Sequence, residues 1–321
     1  MKKFLTVLAA TTALAVFAPT AMAAKIAVVG GKADDLFFNK IKKGMDDACL
    51  AVVKNGGTCT YLQLQTYDNI GADAAQLVRT AISQGVDGIV VPNWVPDAED
   101  PAIKEAIEKG IKVILMNAGG GDKAKELGAI NYVGNDEYPA GLAAGEYYAK
   151  NGVKNIICVN TVPGAGNLEA RCKGVKDGAA KAGSKSTQLP LPASSFGDPT
   201  AVAEAIKATL VKDPSIDGVI TISAGDADSA AIGVDQAGKT GKAVLASFDF
   251  NQSGLDRIKA GTQGFAIDQQ PYLQGNIATN LIANYIDFGN LLPTFPVLTG
   301  PGIIDKTNIE PTLKGVTAGA R

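Results

Sequence analysis

Polar and aromatic residues recur in this sequence directly after short apolar runs. Lys32, Asp34, Asp35, Phe37 and Phe38 follow KIAVVG, and Asn117 closes KVILMN. Trp94 follows DGIVVP, Arg171 lies beyond NIICVN, and Phe196 beyond TQLPLP. Asp226 follows GVITIS, Asp249 closes AVLASFD, and Gln269 closes GFAIDQ. Carboxylates and amides exchange hydrogen bonds with hydroxyls, and a guanidinium adds a fork of donors. Aromatic faces cover apolar C–H surface. A polyhydroxylated ring presents both kinds of surface at once.

Each residue also has a plain structural reading. Phe38 continues a helix stripe and on spacing alone belongs to the core. Asp35 and Asp226 stand where helix N-caps would. Asp249 would satisfy loop amides, Trp94 would pack at its loop, and Arg171 would pair on the surface with Glu169 or Asp177. It is their recurrence at strand ends, where α/β sheets take ligands, that favours a binding site. On that reading Arg171→Ala abolishes binding and leaves the fold intact.

Catalysis is the rival reading, and composition narrows it. The chain has no histidine, so imidazole-based nucleophile activation and mixed Cys/His zinc sites are excluded. A glycosidase built on two carboxylates such as Asp226 and Asp249 remains, but no such pair is marked by spacing. The expectation is therefore a binder with no catalytic residues, no metal and no cofactor. With no side chain of ordinary pKa near neutrality, its affinity is expected to stay flat from about pH 6 to 8.

These residues are positioned by alternating strand-like and helical segments. Phe38, Ile41, Met45, Ala48 and Val52 form one helical face, which Gly56-Gly57 ends. Strand-like TYLQLQ, DGIVVP and KVILMN follow, separated by helices. From a helix near 139–151 the pattern restarts, through NIICVN, TQLPLP, GVITIS, AVLASFD and GFAIDQ, to a last helix, PYLQGNIATNLIANYIDFG. So many β-α units exceed one open sheet, and they fit two doubly wound lobes with parallel sheets better than one barrel, an alternative that periodicity alone leaves open. Residues 233–240, GVDQAGKT, match a phosphate-loop pattern literally, but a helix precedes them and a strand follows, the reverse of the order that chemistry needs. Gly238 is then a helix C-cap. Gly164-Ala165-Gly166 has Glu169 where a dinucleotide fingerprint has its third glycine.

The 321 residues hold 30 Lys and Arg against 32 Asp and Glu, which gives no reason to expect nucleic acid as a partner. Lys2 and Lys3, a short apolar run and Ala21-Met22-Ala23 read as a cleavable secretory signal over residues 1–23, which predicts export to the periplasm. Four cysteines in an exported chain suggest two disulfides. Of three possible pairings, proximity favours Cys49–Cys59 and Cys158–Cys172, each worth roughly 2–3 kcal/mol.

Taken together, DDLFFNKIKKGMDDA, VGNDEYPAGLAAGEYYAK, EARCKG, SFDF and FAIDQQPYLQGNIATNLI resemble the periplasmic sugar-binding proteins of the ribose/galactose type that serve ABC importers. The resemblance covers essentially all of the chain after the signal. It implies two Rossmann-like lobes joined by a three-segment hinge and closing on one ligand (the periplasmic binding protein type I fold). It places the crossings near Asn135-Asp136, Gln269-Gln270 and Leu298-Gly302. The N-terminal lobe is then 24–135 plus 270–299, and the C-terminal lobe 136–269 plus 300–321. It also implies a ligand site of Asp35, Phe37, Phe38, Asn117, Arg171, Phe196, Asp226, Asp249 and Gln269, with Lys32 and Trp94 nearby. The partners implied are a small sugar or polyol and an inner-membrane ABC permease, met by a monomer. Asn117-Ala118 stands where ribose binders have an Asp-Arg pair, Gly225 where they have Asn, and Asp35 where Asn is usual. These departures put ribose in doubt and leave open an amino sugar, a cyclitol, a nucleoside or a furanose-like signal.

Overall fold

A computed structural model describes residues 23–291 and 293–321. The expected signal, residues 1–23, lies outside them apart from Ala23. The first half runs β1 (Lys25–Gly30), α1 (Leu36–Lys54), β2 (Thr58–Gln63), α2 (Ile70–Ser83), β3 (Gly88–Val91), α3 (Pro96–Glu108), β4 (Lys112–Met116), α4 (Gly120–Leu127) and β5 (Asn131–Gly134). The second half repeats the theme. It runs α5 (Glu137–Lys150), β6 (Asn155–Asn160), α6 (Gly166–Lys181), β7 (Lys185–Pro190), α7 (Pro199–Lys212), β8 (Gly218–Thr221), α8 (Ala224–Gln236), β9 (Val244–Phe248), α9 (Gln252–Ala260) and β10 (Phe265–Asp268). The chain ends with α10 (Pro271–Phe288), β11 (Val297–Leu298), β12 (Gly302–Asp305) and α11 (Glu310–Thr317).

Two sheets result, in the orders β11-β5-β4-β3-β1-β2 and β12-β10-β9-β8-β6-β7. All pairings are parallel except β10 with β12. The expected pair of doubly wound lobes is therefore present. Helices cover both faces, so strands such as β3, β6 and β8 are buried along their whole length, as their unbroken apolar runs require. Gly56 and Gly238, both with positive φ, follow α1 and α8 as the stop signals indicated. GVDQAGKT is the end of α8 and its turn, and Glu169 Oε1 accepts from the Gly164 amide at 3.0 Å in the loop after β6, where a dinucleotide phosphate would have to sit.

The chain passes between the sheets three times: from β5 to α5, from β10 to α10, and from β11 to β12. The three segments are tied to one another. Thr299 donates its hydroxyl to the Gln269 carbonyl at 2.7 Å and its amide to the Gly134 carbonyl at 2.8 Å. Gln270 Nε2 donates to the Thr299 carbonyl at 2.7 Å.

In each lobe one helix pair lies unusually close, through glycines. A methyl group at Gly141 of α5 would overlap the Arg171 carbonyl of α6, and one at Gly174 would overlap the Tyr138 carbonyl. Gly44 of α1 and Gly275 of α10 make the matching approach in the other lobe. Cys49–Cys59 and Cys158–Cys172 are both bonded, tying α1 to β2 and β6 to α6.

Candidate ligand site

The carboxyl ends of the two sheets face each other, and a cavity lies between them. Asp35, Phe37, Phe38, Trp94 and Asn117 line it from the first lobe, and Arg171, Phe196 and Asp249 from the second. Residues far apart in sequence meet here because the right-handed β-α crossovers bring every strand's carboxyl end to one edge of its sheet.

Asn117 and Asp249 each follow the strand next to the sheet's crossing strand and adopt left-handed backbone, with φ of 63° and 58°. Asp35 does cap α1, its Oδ1 accepting from the Phe37 amide at 2.9 Å. Its Oδ2 accepts from the Tyr67 hydroxyl at 2.6 Å, so the cap is also part of the cavity wall. Phe38 is both core and wall: it is buried, lines the cavity and packs edge-on to Trp94 at 5.6 Å. Phe196 follows β7 only after a short 3-10 turn, because the strand ends at Pro190, two residues before the apolar run suggested. Its ring meets Tyr67 edge-to-face at 5.0 Å across the cleft.

Arg171 is not the surface partner of Glu169 or Asp177. It is 3% exposed and held by Glu137, with Nε to Oε2 at 2.6 Å and Nη2 to Oε1 at 3.0 Å. It also donates to the Ile222 carbonyl at 2.9 Å and to Gln269 Oε1 at 2.7 Å, and it stacks 4.7 Å from the Phe248 ring centre. Four of its five N–H groups are thus engaged within the protein. Burial alone would lower the guanidinium pKa, but the charge and hydrogen bonds of Glu137 outweigh it and raise the pKa. Arg171→Ala would strand a buried carboxylate, so a cost in stability is expected beside the loss of binding, against the expectation of an untouched fold.

Two expected residues do not line this cavity. Gln269, fully buried, stands behind the wall and bridges Arg171 to Asp249, its Nε2 donating to Asp249 Oδ2 at 2.6 Å. Asp226 does not cap its helix, because Ser223 does. Its Oδ2 accepts from the Thr161 hydroxyl at 2.8 Å, and it faces an adjoining cavity that also meets Asp35, Phe37, Phe196 and Asp249. Lys32 lies outside the wall, 5.8 Å and 5.7 Å from the ring centres of Tyr67 and Phe196.

Sequence reasoning missed Tyr67, Asn167, Ser223 and Glu137. Tyr67 follows TYLQLQ and Ser223 closes GVITIS, so both carried the same signal as the residues that were chosen. Glu137 carried none, because it belongs to the first turn of α5, which starts two residues earlier than the periodicity indicated.

Burial dominates the electrostatics. It pushes Asp249 up to about 7 against the pull of Arg171 and Lys40, and Asp226 up to about 6. Asp35 is also raised by burial, against its hydrogen bonds from Tyr67 and backbone amides. The raised Asp249 carboxyl argues against the expected flat pH response. Asp249 Oδ1 is buried and has no hydrogen-bond partner.

The lobes also touch directly. Lys40 Nζ donates to the Phe250 carbonyl at 3.0 Å, and the Gly166 amide to the Trp94 carbonyl at 2.8 Å.

Residues 26–290 match a family model described as a periplasmic binding protein domain. The xylose/arabinose-binding protein of Sulfolobus acidocaldarius is 24% identical over 303 residues, covering 90% of this chain and 73% of that protein. Among solved structures, a carbohydrate transporter protein from Acidothermus cellulolyticus 11B in complex with myo-inositol is 36% identical, with a TM-score of 0.83, covering 93% of this chain and 99% of that one. An ABC transporter solute-binding protein from Agrobacterium vitis with bound D-fucose is 26% identical, with a TM-score of 0.79, covering 91% and 99%.

Proposed function

This chain belongs to the periplasmic binding protein family, and we propose that it captures a neutral cyclic polyol, a monosaccharide or cyclitol, between its two lobes and delivers it to an ABC permease. It does so as an exported monomeric receptor and performs no chemistry on the ligand. The observation that carries the reading is a pair of unspent polar atoms on one aromatic-walled cavity. Asp249 Oδ1 lacks a donor, and Arg171 keeps one N–H beyond the four hydrogen bonds it makes to Glu137, Ile222 and Gln269. A ring hydroxyl both donates and accepts, so it satisfies either. Phe37, Phe38, Trp94, Tyr67 and Phe196 supply apolar surface for the C–H faces. Myo-inositol in the 36% identical relative makes a cyclitol the first ligand to test.

The segments around Asn135-Asp136, Gln269-Gln270 and 298–302 serve as the hinge. Residues 24–135 with 270–299 move as one lobe, and the rest as the other. Ligand contacts from both walls favour the closed form, which the Lys40–Phe250 and Trp94–Gly166 hydrogen bonds complete.

Thermal-shift and calorimetric titration with myo-inositol, D-fucose, D-arabinose and D-xylose tests the reading. At least one is expected to bind one-to-one and raise the unfolding free energy by about 2.7 kcal/mol at a hundred times its Kd. No stabilisation by any neutral polyol overturns it. New species in the NMR spectrum of the incubated ligand would overturn the assignment as a receptor and favour a carboxylate enzyme.

A further inference from the structure

The cation on the cavity wall faces the ligand with its charge already answered. Asp35, Arg171 and Asp249 are the charged residues that line the cavity, and Glu137 sits directly behind Arg171 with both oxygens on the guanidinium. Glu137 Oε2 also accepts from Asn135 Nδ2 at 3.2 Å. Every hydrogen-bond partner of this carboxylate is therefore a donor, and although burial and the nearby Asp136 raise its pKa, the bidentate guanidinium keeps the pair ionic. Glu137 is 7% exposed, so water screens it only weakly.

From this arrangement we infer that Glu137 determines specificity: it cancels the charge of Arg171 and restricts it to a single N–H donor, so that the site takes neutral polyols and rejects their carboxylated counterparts. The inference rests on the polyol reading of the same cavity.

A guanidinium recognises a carboxylate through two parallel N–H groups and an unpaired charge. Here the fork made by Nε and Nη2 is closed by Glu137, Gln269 takes the other Nη2 hydrogen, and the Ile222 carbonyl takes one of the two on Nη1. An incoming carboxylate would meet one N–H and the two wall carboxylates, Asp35 and Asp249, in a buried space. At about pH 9, the pH of the test and well above the value of about 7 to which burial raises Asp249, like charges brought within a few ångströms there disfavour binding by about a hundredfold or more. A neutral hydroxyl needs only the one N–H and loses nothing. Specificity against anions is thus built as a repulsion, by a residue that need not touch the ligand.

The test compares neutral and acidic ligands on intact wild-type protein and on two variants. Calorimetry is run at about pH 9 with D-galactose against D-galacturonate, D-glucose against D-glucuronate, and myo-inositol against quinate. Wild type is expected to bind one or more of the neutral ligands and to bind the acidic counterpart at least about a hundredfold more weakly. Glu137→Gln keeps the side-chain shape but unmasks the guanidinium, and the acid-to-neutral affinity ratio is expected to rise at least about tenfold. Glu137→Asp keeps the charge and is expected to keep the rejection of acids even where neutral affinity falls. A residue that only supports the fold would weaken both ligands together and leave the ratio unchanged. An unchanged ratio in a folded Glu137→Gln protein, or wild type binding an acid within about tenfold of its neutral partner, overturns the inference while the polyol reading stands. Should Glu137→Gln fail to fold, a wild-type protein that binds an acid within about tenfold of its neutral partner, or a Glu137→Asp protein that accepts acids, still overturns the inference. Binding of none of the neutral ligands overturns the polyol reading and this inference with it.

Discussion

Asn117 and Asp249 occupy the same station in the two lobes. Each is one residue past its strand, β4 or β9, and each adopts left-handed backbone, with φ of 63° and 58°. Each donates its amide to the neighbouring strand, to the Val133 carbonyl at 3.1 Å and the Ile267 carbonyl at 2.7 Å. Their own carbonyls accept from hydroxyls, of Tyr132 at 3.1 Å and Ser247 at 2.6 Å. Asn and Asp tolerate this backbone better than other residues with a Cβ, so the two positions can carry a polar side chain into the cleft at small cost.

Asp249→Asn separates stability from function. The variant keeps the shape and the left-handed tolerance but removes a buried carboxylate whose pKa burial has raised to about 7. Its ligand-free melting temperature is expected to exceed that of wild type at about pH 8, while its affinity for the neutral ligand falls by about tenfold or more. Melting curves and calorimetry on the same sample check both signs, and equal affinity would remove Asp249 from the site.

Acidity should stabilise the empty protein. Burial raises Asp249 to about 7, Asp226 to about 6 and Glu99 to about 8, all above unfolded values near 4. The folded state therefore holds more protons than the unfolded state from about pH 4 upward, and stability falls as pH rises through each folded pKa. The ligand-free melting temperature is expected to be higher at about pH 5 than at about pH 8. Affinity runs the other way, because a hydroxyl that donates to Asp249 Oδ1 needs the carboxylate. Kd is expected to fall between about pH 6 and 8, by up to about tenfold per unit below the pKa. A flat Kd would mean that Asp249 does not accept from the ligand.

Arg171→Ala should cost stability as well as binding. It leaves Glu137 buried without its partner, a change that costs about 3–5 kcal/mol in comparable pairs. The double variant Arg171→Ala/Glu137→Ala is expected to be less destabilised than the two single changes added together, as a direct contact requires. Denaturant unfolding of the four proteins measures the coupling, and additivity would deny it.

Gly141→Ala tests the helix contact that brings this pair together. The added methyl would overlap the Arg171 carbonyl and push α5 from α6. A loss of about 1–3 kcal/mol is expected, together with weaker ligand binding. Wild-type stability by denaturant unfolding would show that the interface yields freely.

Much of this was legible in the chain itself. Apolar runs such as NIICVN and GVITIS mark strands buried on both faces because helices cover both sides of their sheet. The positions after those runs marked the cavity wall, since a parallel sheet sends all its strand ends to one edge: Asp35, Asn117 and Asp249 were found this way. The disulfide partners followed from proximity in sequence. The absent histidine removed imidazole chemistry, but the raised Asp249 carboxyl puts a titrating group at the site that composition alone did not reveal.

What the sequence could not decide is which polar groups would face the ligand and which would face each other. Asp226, Asp249 and Gln269 look alike as strand-end residues. Yet Asp226 is turned to Thr161 and Gln269 braces two neighbours, while one oxygen of Asp249 is left unpaired. Glu137 and Arg171 are 34 residues apart and meet only because glycines let α5 and α6 pack backbone to backbone. Periodicity reports the local backbone and which face is buried. Hydrogen-bond partnership and the pKa of a buried carboxylate depend on atoms brought within about 3 Å from distant parts of the chain, and tertiary packing alone sets those distances.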